Sequence, residues 1–404
     1  MSLLAGRTAL EGLRILDLTS EKGAFCGKLL ADMGADVIKV EPPGGDRTRT
    51  SGPFLNDVPN AEASLSFWYN NTSKRGITLN LEHGEGQKVF RKLARTADVV
   101  VEAFPSGYLK KLSLDYEALK ELNPRLIMTS ITSFGQTGPY RDYASCDLVA
   151  LALGGQMYVS GDSDTPPLKA YGEQAYLIAS LFGAIGTLMA LYHRHLGGRG
   201  QLVDISIHEC VAGMIEHVNV RYLYEGVVAR RQGSLHWDNA FRVFPCRDGY
   251  IVLTLFQEWD TLVELLDSEG MAADLKDERW CNHTVRSREA DHIIQVLGRW
   301  AMRHTATELM DLGQLLRLPW AVVNSIKLVS HNPHLLERGF FVEVAHPEHG
   351  ASFCYPGAPY RFSRTPWRVW RRAPLIGEHN QEIFGRELGL SPAEIAGLIS
   401  GGVI

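Results

Sequence analysis

Two oxygen-bearing side chains mark where this chain could do chemistry. Glu173 and Tyr176 stand three residues apart at the start of the stretch AYGEQAYLIASLFGAIGTLMALYHRHLGGRGQLVDIS, residues 170–206. Read from the residues alone, Glu173 is an acid in the first turn of a helix, where the dipole favours negative charge. Other catalytic patterns are missing. The fourteen histidines include no HExxH, and His193 and His195 fall on different helix faces, so no metal site is expected. No GxSxG elbow occurs. Asp162 and Asp164 sit in SGDSDTPP, which reads as a turn rather than an acid pair. The six cysteines are far apart with no CxxC, which excludes a zinc ribbon or redox pair and reads as reduced thiols in a cytoplasmic protein.

The elements that must position Glu173 and Tyr176 follow from periodicity. From Glu173 to about His195, apolar residues recur at Leu177, Leu181, Ile185, Leu188 and Tyr192, the spacing of a helix. Ala179, Gly183, Ala184, Gly186 and Ala190 fill the gaps, a composition tolerable where another backbone packs close, so the helix is expected to be buried. Gly197 and Gly198 end it, and 201–207 alternates as a strand. Upstream, LRILDL (13–18), a helix over 24–33 and ADVIKV (35–40) make a parallel βαβ unit. The turn between them, Thr19-Ser20-Glu21-Lys22-Gly23, is not GxGxxG, so the architecture is Rossmann-like without a dinucleotide fingerprint. Strands at 73–81, 97–102 and 126–131 alternate with helices at 84–96 and 116–123. From about Tyr222 the texture changes. EGVVARRQ (225–232) reads as a linker, followed by a strand at 250–254 and helices at 259–266, 290–302 and 307–316. The chain has 404 residues, 45% hydrophobic, 22% charged and of net charge −5, which implies no strong attraction to nucleic acid or anionic membranes. No apolar run of the ~18 residues that span a bilayer is expected.

The small-residue helix followed by GGRGQLVDIS resembles the family III CoA-transferases, the CaiB/BaiF-like group. So do LADMGADVIKVEPPGGDRTR (30–49), FGQTGPYRDYASCDLVALALGG (134–155), GAPYRFSRTP (357–366) and the tail APLIGEHNQEIFGRELGLSPAEIAGLISGGVI (373–404). The resemblance covers essentially the whole chain. It implies an α/β fold: a Rossmann-like large domain from both chain ends, 1–224 and 331–404, with a smaller α+β domain inserted at 225–330. It also implies an interlocked dimer.

In that family a carboxylate, almost always Asp, opens the small-residue helix and attacks an acyl-CoA thioester. The route passes through a mixed anhydride, so the nucleophile must be a carboxylate. Counting twenty-two positions back from Gly198, the family's Asp falls on Tyr176. A phenol cannot take its part. The nearest carboxylate, Glu173, is displaced by ~4.5 Å along the helix axis, where a misplacement of ~1 Å already costs about a hundredfold in rate. Among residues that would hold coenzyme A, the resemblance points to Lys74, Arg75, Phe104, Lys111 and Gln136. The alternative for Lys74, Arg75 and Lys111 is a solvated surface charge. Departures from the pattern are Pro42 in place of a basic residue, Ala103 in place of Asn, Lys111 in place of Arg and Trp237 in place of Pro. The expected substrate is a coenzyme A thioester, with no tightly bound cofactor.

Two readings follow. In one, the chain is the non-catalytic subunit of a heteromeric CoA-transferase that moves CoA between carboxylic acids, such as from succinyl-CoA to an aryl-substituted succinate. A sister subunit then carries the nucleophilic Asp. In the other, the chain is a self-sufficient homodimer with Glu173 as nucleophile.

Overall fold

The structure, a computed structural model, describes residues 8–235, 242–254 and 258–404. The chain divides into two compact units, Met1–Gln156 with Lys169–Gly226 and Leu336–Ile404, and Met157–Leu168 with Val227–Leu335. The second takes in Met157–Leu168, a stretch that the sequence reading leaves in the large domain.

The first unit opens with β1 (Arg14–Asp17), α1 (Ala24–Asp32), β2 (Asp36–Glu41), α2 (Leu65–Asn70), β3 (Arg75–Thr78), α3 (Gly84–Ala94) and β4 (Val99–Glu102). Helices α4 (Tyr108–Lys111) and α5 (Tyr116–Lys120), strand β5 (Ile127–Thr132), helix α6 (Asp147–Leu153) and, after α7 (Gln156–Val159), which opens the stretch belonging to the second unit, helix α8 (Gln174–His195) follow. Then come β6 (Leu202–Ser206), α9 (Ile207–Gly213) and α10 (His217–Glu225). The six strands form one sheet in the order β3-β2-β1-β4-β5-β6, and every pair is parallel. Strands β3, β4 and β5 are buried at every residue, the mark of a parallel sheet covered on both faces. Strand order reverses between β1 and β4, and an open α/β sheet forms its crevice beyond the carboxyl ends of such a pair.

Two buried charges fix the end of β1. Asp17 and Lys74 are both fully buried, and the Lys74 ammonium donates to Asp17 Oδ2 at 2.7 Å, Ala24 O at 2.8 Å and Asn71 Oδ1 at 2.8 Å. The other Asp17 oxygen accepts from Thr19 N at 2.9 Å and Thr19 Oγ1 at 2.6 Å. Burial alone raises the Asp17 carboxyl; Lys74 and Lys39 outweigh it and hold the group below the usual carboxylate range. Helix α1 crosses the pair at Gly27, where a Cβ would lie 2.3 Å from Asp17 Oδ2, so only glycine fits.

Helix α8 differs from its expected packing. Its small face is the buried one: Ala179, Gly183, Ala184, Thr187 and Ala190 sit against the sheet and α1. A Cβ on Gly183 would come within 2.8 Å of Ile131, and Thr187 Oγ1 lies 2.7 Å from Thr129 Oγ1. The large residues expected to be core are exposed instead: Leu181 by 45%, Ile185 by 52%, Leu188 by 40% and Tyr192 by 67%. Small side chains let the helix approach the sheet closely, which turns the large ones outward. By length and composition α8 is also apolar enough to cross a bilayer, contrary to the expectation that no run would be; half of that window is packed inside the protein.

The second unit holds an antiparallel sheet in the order β7-β8-β9, made of β7 (Arg242–Cys246), β8 (Gly249–Leu253) and β9 (Ala321–Val322). Helices α11 (Trp259–Ser268), α12 (His283–Arg288), α13 (Ala290–Ala301) and α14 (Ala306–Leu315) surround a core containing Trp259, Trp280, Trp300 and Trp320. Helices α15 (Ile326–Ser330) and α16 (Pro333–Glu337) end this region. The tail then forms the hairpin of β10 (Phe341–His346) and β11 (Ala351–Pro356), and helix α17 (Pro392–Ser400). Ile383, Phe384, Ile395 and Val403 of the tail enter the core built by β1–β5 and α3, so both chain ends complete the first unit. Trp237 lies outside the described residues.

Replacing Lys74 by Met leaves Asp17 buried and unpaired. The expected loss is roughly 3–5 kcal/mol, read as a fall in the urea midpoint. The double variant Asp17→Asn with Lys74→Met should lose less than Lys74→Met alone.

Candidate active site

The carboxyl ends of β1 and β5 and the start of α8 converge. Helix α8 begins at Gln174, one residue later than expected, with Glu173 as an exposed N-cap whose side chain makes no capping bond. Asp147 of α6 does the capping: its Oδ1 accepts from Ala175 N at 2.9 Å. Its buried Oδ2 lies 3.3 Å from the Lys169 ammonium, a charge contact without hydrogen-bond alignment. Tyr176, on the first turn, is only 6% exposed. Burial raises its phenol, and Glu21, Cys146, Glu173 and Asp147 push the same way, so the ring stays protonated at neutral pH. Glu173 is also raised, by desolvation first and then by Asp147 and Glu21.

The turn after β1 faces this helix start. The Lys22 carbonyl accepts from Ser180 Oγ at 3.4 Å, and its ammonium donates to Ser133 Oγ at 3.2 Å on the loop after β5. Burial lowers the Lys22 ammonium. Glu21 pairs with Arg47, whose Nε donates to it at 3.0 Å. Ser20 Oγ donates to Asp46 Oδ1 at 2.8 Å. One residue past Ser133, the Phe134 ring meets Tyr140 at 6.0 Å, Tyr143 at 6.3 Å and His208 at 5.8 Å.

A hollow of about 230 Å³ opens beyond β4 and β5 and is lined by Glu102, Ser106, Ser130, Gln136 and Arg141 among others. Gln136 is held here: its N–H donates to Asp204 Oδ2 at 2.9 Å, and its Oε1 accepts from Ser106 Oγ at 3.1 Å. Phe104 donates its backbone N–H to Glu102 Oε2 at 2.8 Å, and its ring lies 4.6 Å from Tyr108. Glu102 is 4% exposed and hydrogen-bonded to Ser130; burial pushes its carboxyl up to about 7.

A family model for CoA-transferase family III matches residues 10–380. The chain belongs to CoA-transferase family III. It is 36% identical over 97% of its length, and 97% of theirs, to the BbsE subunit of succinyl-CoA:(R)-benzylsuccinate CoA-transferase from Thauera aromatica. It is 35% identical to the succinyl-CoA:mesaconate CoA-transferase of Haloarcula hispanica, covering 93% of this chain and 96% of the relative. A crystal structure of a CaiB/BaiF family protein from Brucella suis superposes with a TM-score of 0.85 at 32% identity, covering 94% of this chain and 99% of that one. Such enzymes take CoA thioesters as substrates.

Within this family III chain, the expected ligand residues separate. Gln136 lines the hollow, and Phe104 reaches it only through its backbone N–H on Glu102. Lys111 is exposed at the end of α4. Lys74 and Arg75 are corrected: neither presents its charge to a ligand, and neither is a solvated surface charge. Lys74 is consumed by Asp17, and Arg75 by Asp36 at 2.7 Å, Glu382 at 2.6 Å and Glu387. Glu173, expected in the first turn, lies outside the helix. Lys22, Ser133, Glu102 and Asp147 carry geometry that the sequence reading did not single out. The one available signal was a charged pair, Glu21-Lys22, in a strand-to-helix turn at the carboxyl edge of a parallel sheet.

Because the folded state holds the Glu102 proton more tightly than the unfolded chain, Glu102 lowers stability as pH rises from about 4.5 through about 7. Glu102→Gln should remove that part of the slope. Urea midpoints at pH 5 and pH 8 should fall more for the wild type than for the variant.

Proposed function

We propose that this chain is a subunit of a heteromeric, cytoplasmic CoA-transferase that moves CoA between carboxylic acids, such as from succinyl-CoA to an aryl-substituted succinate. The attacking carboxylate belongs to a sister chain. One observation carries this reading: where the resemblance places the nucleophilic Asp there is Tyr176, a buried phenol held in its protonated form. A neutral phenol supplies neither the charge nor the second oxygen that an acyl anhydride needs. The nearby Glu173 sits before the helix, and its carboxyl is pushed toward the neutral acid, which weakens it as an attacking group.

Two further observations support a partner chain. The relative from Thauera is itself named as a subunit. Leu181, Ile185, Leu188, Met189, Tyr192 and Leu196 form an exposed apolar row along α8, the kind of surface that a second chain covers. An interlocked pair, as the resemblance implies, fits that need. Phe104, Lys111 and Gln136 are the remaining contacts proposed for coenzyme A. All six cysteines are free thiols, in keeping with a reducing compartment.

The purified chain alone should show no thioester exchange between succinyl-CoA and carboxylic acids. Exchange should appear on co-expression with an Asp-bearing sister chain, as a stable mixed dimer, and Glu173→Gln in this chain should leave that rate within about twofold. Robust turnover by the isolated chain, abolished by Glu173→Gln, is the result that favours the self-sufficient homodimer.

A further inference from the structure

We infer that Lys22 and Ser133 form an anchor for a carboxylate, specifically the far carboxylate of a dicarboxylic acyl group bound beside Tyr176. The inference deepens the CoA-transferase reading and rests on it for the site's purpose, though not for the anchor's chemistry.

The argument begins with charge pairing. Cations buried in this unit are matched by a carboxylate: Lys28 pairs with Asp32 at 2.7 Å, Lys39 with Asp46 at 3.3 Å, Lys74 with Asp17 at 2.7 Å, Arg49 with Glu41 at 2.6 Å and Arg194 with Asp98 at 2.7 Å. Lys22 is half-buried, yet among the described residues no carboxylate lies within ion-pair distance of it. Its neighbour Glu21 is engaged by Arg47. Taking an ammonium partly out of water with no carboxylate in contact is costly, and burial weakens its hold on the proton by more than the nearby Glu21 strengthens it. An incoming anion reverses that cost.

The geometry is fixed in advance. Asp17 pins the turn through Thr19, and Ser180 pins it through the Lys22 carbonyl. Ser180 is four residues beyond Tyr176, on the same face of α8, so the turn is tied to the side of the helix that bears the phenol. Ser133 Oγ accepts from the ammonium and keeps its own O–H to donate. Ammonium and hydroxyl together offer two donors to the two oxygens of a carboxylate, and the charge on each partner strengthens the contact. Because side chain and loop are already ordered, little freedom is lost on binding.

The class of anion follows from the substrate proposed above. In a bound acyl-CoA the carboxyl joined to sulfur is uncharged and cannot partner a lysine. A second carboxylate on the same acyl chain can. The anchor therefore selects thioesters of dicarboxylic acids over those of monocarboxylic acids of equal length.

The test compares probes with and without a free carboxylate, succinate against uncharged succinamide and succinyl-CoA against butyryl-CoA, by calorimetry on the full-length chain. The wild type should prefer the dicarboxylic member of each pair. Lys22→Gln should weaken succinate and succinyl-CoA by about tenfold or more while leaving butyryl-CoA unchanged. Lys22→Arg should keep most of the preference. Unchanged thermal midpoints show that the variants fold. A wild type that binds succinate and succinamide alike, or binds neither, overturns the anchor, as does a Lys22→Gln variant that keeps the preference. Failure of both thioesters to bind, with the preference for free succinate intact, counts against the CoA reading and leaves the anchor standing.

Discussion

The ion pair between Asp17 and Lys74 is the constraint on which the cleft rests. A charge pair with no exposed surface contributes little net stability compared with an apolar pair of the same size, but losing one partner strands the other. It also sets positions. One Asp17 oxygen holds Lys74, and through it α1 and the chain before β3; the other holds Thr19. The turn that follows β1 is held at its start by that carboxylate and further on by Asp46 and Ser180. It brings Lys22 to the helix start and Glu21 to Arg47. Gly27 is the steric counterpart of the same arrangement, since a side chain there would displace the pair.

Helix α8 solves two packing problems with one composition. Small residues let it lie close on β5 and α1, so the phenol on its first turn sits deep and Asp147 can reach the free N–H of Ala175. The same closeness leaves the large apolar residues nowhere to go but outward. An exposed apolar face of this kind marks an interaction site. The proposed dependence on a sister chain therefore has two physical roots, one in surface and one in chemistry.

Much of this was legible in the sequence. Hydrophobic runs separated by helix-length segments gave the parallel sheet, because strands buried on both faces leave no alternation to misread. The motifs at 30–49, 134–155 and 373–404 carried the family resemblance, which the match over residues 10–380 shows. The side chains were less legible. The pattern of α8 was read correctly as a helix and wrongly as to which stripe faces inward, because periodicity reports two faces and not which one a sheet approaches. Lys74 and Arg75 stand in a motif that suggests ligands, but their carboxylate partners lie 57 and 39 residues away, beyond any local signal. Lys22 went unread for the reverse reason: its meaning lies in the carboxylate it does not have.

Intact-mass spectrometry of the two-chain enzyme, quenched during turnover with succinyl-CoA, addresses the central claim most directly. The account predicts a covalent acyl or CoA adduct on the sister chain and none on this one. An adduct on this chain, mapped to the peptide containing Glu173 or Tyr176, would contradict it.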